Sequence, residues 1–279
     1  VRVFGKKPTG GKVEILFIQS HSRDTWEALL RPAVREGTTI SLWDGMSVTV
    51  VRKTKEARFM LEVSGTGRFE ELVHKHGYMP LPPYIKRPHL SAQTKSTDSN
   101  MYQTVYAKHN GSIAAPTAGL HFTTSLLDAL KQKGVPVVEI MLHVGLGTFK
   151  KITAPNITEH VMEKEYFEIS SSAARTINAT RHQEGRIIAV GTTTVRALES
   201  SVDESGFVSS GNAWTDIFIH PGFQFRAVDS LITNFHLPRH SPFVMVSALV
   251  GLEQLKKIYR EAIHEQYRFY SYGDAMLAL

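Results

Sequence analysis

Polar side chains alternate with apolar ones over residues 216–238, and five of them can donate, accept or carry protons. Those five are Asp216, His220, Asp229, Asn234 and His236. A buried polar group without a partner costs about 1–3 kcal/mol, so polar groups kept among apolar residues suggest a purpose. Binding pockets combine an apolar lining with a few placed polar groups. The stretch therefore predicts one wall of a recessed pocket.

A second candidate segment, residues 143–149, follows a predicted strand. Gly145 and Gly147 let a ligand approach the backbone closely, and His143 is of a type that transfers protons at neutral pH. A tight turn beside a core histidine explains the same pattern, so the segment does not identify a site by itself.

A third segment runs from Gly191 into a predicted helix through Thr192, Thr193 and Thr194. Unpaired N–H groups at a helix start favour a carboxylate or phosphate oxygen, and threonine hydroxyls suit ribose or methionine-like polar groups. The alternative is a simple helix cap, worth about 1 kcal/mol. The pattern of a phosphate-binding loop is absent from this segment, which argues against hydrolysis of nucleoside triphosphates.

Two further segments, 102–108 and 114–122, combine aromatic, amide and cationic residues. Tyr102, Gln103, Lys108 and His121 are the members that could grip a nucleobase by stacking and hydrogen bonding. The alternative is a strand and turn that pack against the following helix.

The composition narrows the class of protein. The 42% apolar and 21% charged residues are typical of a globular protein, and residues 242–252, the longest near-apolar run, fall short of the roughly 18 residues that a membrane span needs. The chain has no cysteine, which fits a cytoplasmic enzyme. A net charge of +6 suits an anionic partner such as RNA. The histidines lack metal-ligand spacing, so no metal is expected.

These candidate residues need a scaffold, and the hydrophobic pattern predicts two domains. Residues 1–79 contain short alternating runs that predict a small all-β barrel or sandwich, closed by a helix at 70–76. The proline-rich segment 79–88 must be extended and marks the boundary. Residues 80–279 alternate helices and strands, which predicts a three-layer α/β main domain.

Within 80–279 the pattern places each element. Helices are predicted at 125–133, 172–182, 194–201, 243–250 and 252–268. Strands are predicted at 135–144, 186–191, 216–220 and 270–279. Ligands of open α/β sheets bind beyond the carboxyl ends of strands, so the residues after 144, 191 and 220 are expected at the pocket.

Seven motifs, in this order, resemble the S-adenosylmethionine:tRNA ribosyltransferase-isomerase family of queuosine biosynthesis. They lie at 80–85, 102–108, 115–122, 142–149, 189–196, 232–238 and 270–276. Where this chain has Glu163 and Arg239-His240-Ser241, the family usually has His and Lys-Ser-Thr. The resemblance implies that the β-barrel is inserted into the α/β domain. It also implies that Val1 is preceded by some tens of residues in the full chain, so the printed sequence is expected to be a fragment.

The resemblance implies one reaction. The ribosyl moiety of S-adenosylmethionine is transferred to 7-aminomethyl-7-deazaguanine at the wobble position of tRNA and isomerised, which gives epoxyqueuosine-tRNA and releases adenine and methionine. S-adenosylmethionine is a consumed cosubstrate, and the partner is the anticodon region of tRNA. A monomer that needs neither membrane nor metal is expected.

Roles for the candidate residues follow from the resemblance and from their positions after strands. His143 or His236 is expected as base or acid, oriented by Asp216 or Glu163. The cosubstrate is expected against Gly145, Gly147, Gly191, Thr192, Thr193, Thr194 and Asn234. The tRNA is expected against Tyr102, Gln103, Lys108, His121 and Arg196. A basic RNA-binding module without catalysis and a metal-dependent hydrolase are the alternatives.

Overall fold

The computed structural model describes residues 1–54, 57–82, 84–87, 91–109, 111–145, 147 and 150–279. The chain divides into two compact units, Val1–Asn100 and Met101–Leu279. The division lies near the end of a helix, Ala92–Met101, which the hydrophobic pattern does not predict. The boundary that we expect at 79/80 from the proline-rich segment stays a prediction.

The first unit contains a closed six-stranded barrel with the strand order β1-β2-β3-β6-β5-β4. Its strands are β1 (Arg2–Lys6), β2 (Lys12–Ser20), β3 (Thr25–Arg31), β4 (Thr39–Ser41), β5 (Ser47–Lys53) and β6 (Arg58–Ser64). Every neighbouring pair is antiparallel. The period-two pattern is confirmed: in β2, for example, Val13, Ile15 and Phe17 point into the core while the residues between them do not. Helices α1 (Phe69–His76) and α2 (Ala92–Met101) complete this unit's regular structure among the described residues.

The second unit contains two small sheets, five helices and two short 3-10 turns within the described residues. The helices are α3 (Thr124–Gln132), α4 (Ser171–His182), α5 (Thr192–Ser200), α6 (Ser241–Val250) and α7 (Leu252–His264). The strands are β7 (Met141–His143), β8 (Glu165–Ile169), β9 (Ile188–Val190), β10 (Gly211–Thr215), β11 (Ser230–Asn234) and β12 (Ala275–Ala278). The 3-10 turns are Thr117–His121 and Ile157–Glu159.

One sheet of this unit is antiparallel, in the order β10-β8-β7, and the other has the order β12-β11-β9. In the second sheet β9 and β11 are parallel, whereas β12 runs antiparallel to β11. Helices and strands are mixed along this unit, but in its described residues β7 and β8 follow each other without a helix of α type between them, as do β10 and β11.

Two predicted strands are wrong. Of residues 135–144 only Met141–His143 form a strand, and Val135 and Val137 are 44% and 49% exposed, so the apolar run does not mark a buried strand. The predicted strand 216–220 is displaced: the strand is Gly211–Thr215, and residues 216–220 are irregular. The carbonyl of Ile217 accepts a hydrogen bond from the Arg196 side chain, so it is occupied outside any strand ladder.

Two further strands, β8 (Glu165–Ile169) and β11 (Ser230–Asn234), were not predicted, and the other differences concern the ends of elements. Helix α7 stops at His264 although the pattern predicts a helix to 268, and β12 occupies only Ala275–Ala278 of the predicted 270–279. Tyr270 has a φ of 74°, which breaks the extended chain there. None of the described helices is both long enough and apolar enough to cross a membrane.

Candidate functional site

The carboxyl ends of the parallel strands β9 and β11 lie side by side, as the sequence predicts for a ligand site. The Gly191 N–H donates to the Ile232 carbonyl at 2.9 Å, which fixes the end of β9 against β11. Gly191 has a φ of 91°, a conformation that favours glycine, and α5 begins at the next residue. Asn234 closes β11 and is 1% exposed. Two of the predicted segments therefore meet at one sheet edge.

A narrow cleft opens at this position, and the first residues of two helices line it. Thr192 and Thr193 begin α5, and Ser241 and Pro242 begin α6. Its full lining is Met162, Thr192, Thr193, Arg196, Ile217, Phe218, Ser241, Pro242 and Met245. Helix N-termini present N–H groups without intrahelical partners and partial positive charge, so two of them at one cleft favour an anionic group such as a carboxylate.

A second cleft adjoins the first, because Thr193 belongs to both. Its lining is Leu142, His143, Val144, Glu165, Tyr166, Phe167, Thr193 and Thr215. His143, the predicted proton carrier, is half-buried here, and its ring contacts the Tyr166 ring edge-on at 5.4 Å between centroids. Gly111 lies directly against the His143 ring, so closely that a Cβ there would overlap it. The His143 ring is thus held between the Tyr166 ring and the backbone of Gly111.

Arg196 forms the buried centre between these clefts. The side chain is 4% exposed and its guanidinium pairs with Glu165, which is 5% exposed. It also donates to three backbone carbonyls: Nε to Ile217 at 3.1 Å, and Nη2 to Glu163 at 3.2 Å and Thr215 at 3.1 Å. Burial lowers the pKa of Arg196 and the nearby carboxylates of Glu165 and Asp216 oppose that shift, so the guanidinium stays charged at neutral pH.

The glycine loop after β7 is attached to the same network. The Gly145 N–H donates to Glu165 Oε1 at 3.2 Å. A Cβ on Gly147 would lie 2.8 Å from the Glu163 Cβ, so the backbone at 147 touches that side chain. Glu163 forms an ion pair with Lys150. Glu165 therefore links Gly145 to Arg196, and Glu163 links Gly147 to Arg196 through its backbone carbonyl, so four predicted site residues are brought together. Leu146, Thr148 and Phe149 of the same motif lie outside the described residues.

His121 and Asn234, predicted for different substrates, are hydrogen-bonded to each other. The Asn234 amide nitrogen is 3.0 Å from His121 Nε2 and 3.3 Å from the Tyr270 carbonyl oxygen. A carbonyl only accepts, so the amide nitrogen faces both groups, His121 Nε2 accepts, and the ring proton sits on Nδ1. Burial lowers the pKa of His121, partly opposed by Asp274. Among the described atoms Asn234 Oδ1 has no partner, so this amide keeps an unused acceptor.

His236 is held by its own neighbours. Its Nε2 lies 2.7 Å from the Thr233 hydroxyl, and its backbone N–H donates to the Tyr259 hydroxyl at 2.8 Å. Burial, with a smaller contribution from His240, lowers the pKa of His236 to about 4. The imidazole is neutral at physiological pH and is a weak base.

Asp216 lies at the rim of the Arg196 network. It is exposed and follows Thr215, whose carbonyl binds Arg196, and its charge acts on that guanidinium. Two residues later, Phe218 contacts the rings of His160 and His220 at 4.8 and 5.7 Å between centroids. Burial lowers the pKa of His160.

The residues predicted to face tRNA fall into two groups. Gln103 and Lys108 are exposed, and Lys108 forms an ion pair with Glu139. Tyr102 is fully buried and packs edge-on against Tyr272 at 5.7 Å between centroids. Arg196, described above, is likewise interior. The structure thus leaves Gln103 and Lys108 accessible to a large partner and surrounds Tyr102 and Arg196 with protein groups.

Sequence reasoning missed Glu165, Met162 and Ser241. Glu165 is the side chain that links Arg196 to the glycine loop, and no local signal separates it from its charged neighbours Glu163 and Lys164. The only hint is the alternation in β8, where Glu165, Phe167 and Ile169 share the buried face. A carboxylate on the buried face of a strand needs a cationic partner. The position of Glu165 in this alternation therefore indicates a buried ion pair, although not which cation forms it.

Metal-ligand geometry occurs elsewhere. Within the described part of the chain, one group of three side chains could share an ion: Glu261, His264 and Glu265 at the end of α7. All three are exposed, and exposed acidic groups of this kind are common without any ion. The cluster does not include a cleft residue.

Comparison with known proteins gives consistent relatives. A family model described as "Queuosine biosynthesis protein" matches residues 1–278. A protein of Desulforamulus reducens named S-adenosylmethionine:tRNA ribosyltransferase-isomerase is 46% identical over 282 residues, which cover 100% of this chain and 81% of the relative. A protein of Moorella thermoacetica with the same name is 48% identical over 275 residues, with 97% and 78% covered.

One solved structure is also similar in sequence. S-adenosylmethionine tRNA ribosyltransferase from Thermotoga maritima is 30% identical, and the match covers 100% of this chain and 78% of that chain with a TM-score of 0.48.

Proposed function

This chain belongs to the queuosine biosynthesis protein family, and from that membership we propose that it acts as an S-adenosylmethionine:tRNA ribosyltransferase-isomerase. It transfers the ribosyl moiety of S-adenosylmethionine to 7-aminomethyl-7-deazaguanine at the wobble position of tRNA and isomerises it, releasing adenine and methionine. The observation that carries this proposal is the match of the family model to residues 1–278, together with relatives of that name at 46–48% identity.

The cleft at the starts of α5 and α6 suits the methionine part of the cosubstrate. Its carboxylate would accept hydrogen bonds from N–H groups near Thr192, Thr193 and Ser241. Met162 and Met245 supply apolar surface in the same cleft. Gly145, Gly147 and Gly191 would let the cosubstrate approach the backbone, and Thr194 and Asn234 complete the set predicted to bind it.

The reaction needs a base near the ribose. The positive sulfur of S-adenosylmethionine acidifies the neighbouring C5′–H, which a neutral base can then remove. We assign that role to His143, which is half-buried at the second cleft beside Glu165 and Thr193. His236, with a pKa of about 4, is too weak a base for efficient proton removal at neutral pH, and we assign it to hydrogen bonding. Glu163, which pairs with Lys150, and Asp216, whose charge acts on Arg196, are assigned to setting the electrostatic potential of the site.

The departing adenine needs a donor for its developing negative charge. His121 is suited to this, because its Nδ1 carries the proton while Nε2 is occupied by Asn234. Gln103 and Lys108 are exposed and are assigned to the tRNA. Tyr102 and Arg196 are assigned to the support of the site, since both are buried.

Further properties belong to the same proposal. We infer that the barrel is inserted into a three-layer α/β domain with its boundary near residue 79. We also infer that the protein works as a monomer in the cytoplasm, that it binds the anticodon region of tRNA, and that it needs no metal.

The decisive experiment incubates the protein with S-adenosylmethionine and tRNA that carries the precursor base. Free adenine and the modified nucleoside are then measured by mass spectrometry. The proposal predicts both products in equal amounts, in the presence of a chelator as well as without it. Binding of tRNA without adenine release would show a binding module, and loss of the reaction on chelation would show a metal enzyme.

The His143 assignment has its own test. His143→Ala should slow single-turnover adenine release by about 100-fold or more, the usual contribution of a positioned base. His264→Ala, an exposed histidine on α7, is the matched control and should react at the normal rate. Undiminished release by the His143 variant would exclude that histidine as the base.

A further inference from the structure

The net charge of the chain is confined to one of its two units. Residues 1–100 contain 16 Lys and Arg against 10 Asp and Glu, whereas residues 101–279 contain 16 of each. The barrel unit therefore carries the whole excess of +6. An excess of positive charge suits an anionic partner such as RNA, and the proposed site in the second unit does not use it.

Within the barrel unit, the β1–β2 hairpin concentrates positive charge. Lys6, Lys7 and Lys12 lie at its tip, around a turn closed by backbone hydrogen bonds between residues 7 and 11 and between 10 and 7. Lys6 and Lys12 are exposed. Gly10 has a φ of 82° with open space around it, and the turn contains no carboxylate that could neutralise the lysines.

Lys6 and Lys12 are directly opposite each other across the two strands. Like charges in that position repel and destabilise a hairpin. The carboxylate nearest in sequence does not relieve the repulsion, because Glu14 pairs with Arg2 at 3.8 Å. Among the described residues none of the three lysines forms an ion pair. A cross-strand pair of unpaired cations is a cost to the fold that an anionic partner would offset.

We propose that the tip of the β1–β2 hairpin, formed by Lys6, Lys7 and Lys12, binds the phosphate backbone of the tRNA substrate. The identity of the anion rests on the proposed function, since a family that modifies tRNA offers a polyanion as substrate. Lysine binds phosphate as a point charge and reads no sequence, so the hairpin contributes affinity and orientation while the clefts of the second unit do the chemistry.

The test measures tRNA binding by Lys6→Gln/Lys12→Gln across a range of salt concentrations, with filter binding of a labelled tRNA transcript. Each lost phosphate contact should weaken binding about tenfold near 0.1 M salt and lower the slope of log Kd against log salt by about 0.7–0.9. The matched control is Lys131→Gln/Lys257→Gln, which removes the same charge from exposed lysines of the second unit.

Measurements of catalysis and of stability distinguish a loss of tRNA binding from a loss of activity or of folding. The hairpin variant should raise the KM for tRNA and keep kcat at saturating tRNA. Its denaturation midpoint should stay the same or rise, because cross-strand repulsion is removed. Lys7→Gln alone should show about half the change in salt slope of the double variant.

Three results would overturn the proposal. They are a salt slope unchanged in the hairpin variant, an equal loss of affinity in the control variant, and a lowered denaturation midpoint in the hairpin variant that accounts for the weaker binding. If the normal protein binds tRNA through the hairpin but releases no adenine, the proposed activity fails and the hairpin assignment stands.

Discussion

At the scale of single residues, the Arg196–Glu165 pair is the interaction on which most of the site depends. Glu165→Gln keeps the size of the side chain and its acceptor for the Gly145 N–H, but it leaves the Arg196 charge buried without its ionic partner. Breaking such a pair from one side costs about 3–5 kcal/mol. We expect a loss of free energy of unfolding of that order, measured by urea denaturation.

A surface pair provides the control for this prediction. Glu253 forms an exposed ion pair with Lys256 on α7, where solvent screens the charges. Glu253→Gln should leave the unfolding midpoint unchanged. Equal effects of the two substitutions would mean that the buried pair has no special weight.

A second residue-scale prediction concerns pH and His236. Its pKa is about 4 in the folded protein against the ordinary value of 6.5, so between these values the unfolded chain takes up a proton that the folded chain does not. Stability contributed by this histidine is therefore complete above 6.5 and is lost as the pH falls toward 4, by about 3 kcal/mol.

The measurement is the urea midpoint at several pH values, for the normal protein and for His236→Asn. The variant has no imidazole at this position and should lose less stability between pH 6.5 and 4. Parallel pH profiles for the two proteins would contradict the assignment of this loss to His236.

Residues near the site were predictable where strand ends dictate their place. Gly191, Thr192 and Asn234 meet because β9 and β11 are parallel neighbours, although β11 itself was not predicted as a strand. Arg196 was expected to face tRNA, yet its partner Glu165 is 31 positions away. No local sequence pattern indicates a contact between residues so far apart in the chain. The burial of the Arg196 charge could therefore be recognised only in the structure.

At the scale of elements, the loop after β7 gives a matched pair of tests. A Cβ at Gly147 would meet Glu163 at 2.8 Å, whereas a Cβ at Gly145 has its nearest neighbour at 4.0 Å. Gly147→Ala must displace the loop or Glu163, and we expect kcat for adenine release to fall by about tenfold or more, since small misplacements at a site are costly. Gly145→Ala should cost much less.

Adenine release under saturating substrates checks the pair, with the thermal midpoint as the test of folding. Similar losses in both variants would show that loop flexibility, and not the contact with Glu163, decides the rate.

Strands were predictable where buried apolar residues alternate with exposed ones. The predictions failed where this alternation is absent. The barrel strands largely alternate buried and exposed residues, and the barrel predicted for residues 1–79 is present. Residues 211–215 form a strand although four of the five are exposed, and the sequence Gly-Asn-Ala-Trp-Thr shows no alternation of apolar and polar residues. Residues 135–140 are apolar but pair with no strand, since β8 engages β7 only over Met141–His143.

At the scale of the whole molecule, each unit has a hydrophobic core of its own, and separate cores can unfold separately. Leu61 and Leu231 are both fully buried, one in each core. Leu61→Ala should destabilise the barrel transition by about 2–5 kcal/mol and leave the other transition in place, and Leu231→Ala should do the reverse.

Differential scanning calorimetry resolves the two transitions. Fluorescence assigns them, because Trp26 and Trp43 report on the first unit and Trp214 on the second. A single transition lowered equally by both substitutions would show that the cores unfold as one.

The closure of the barrel determines which strands of the protein can start aggregation. β1 pairs with β2 along its length and with β4 at Lys6 and Ser41, so the barrel is closed and each of its strands has a neighbour on both sides. In the second unit β7, β10, β9 and β12 each end a sheet. Under mild heating, aggregates should therefore grow from the strands of residues 141–278, while the barrel's amide protons remain protected within them.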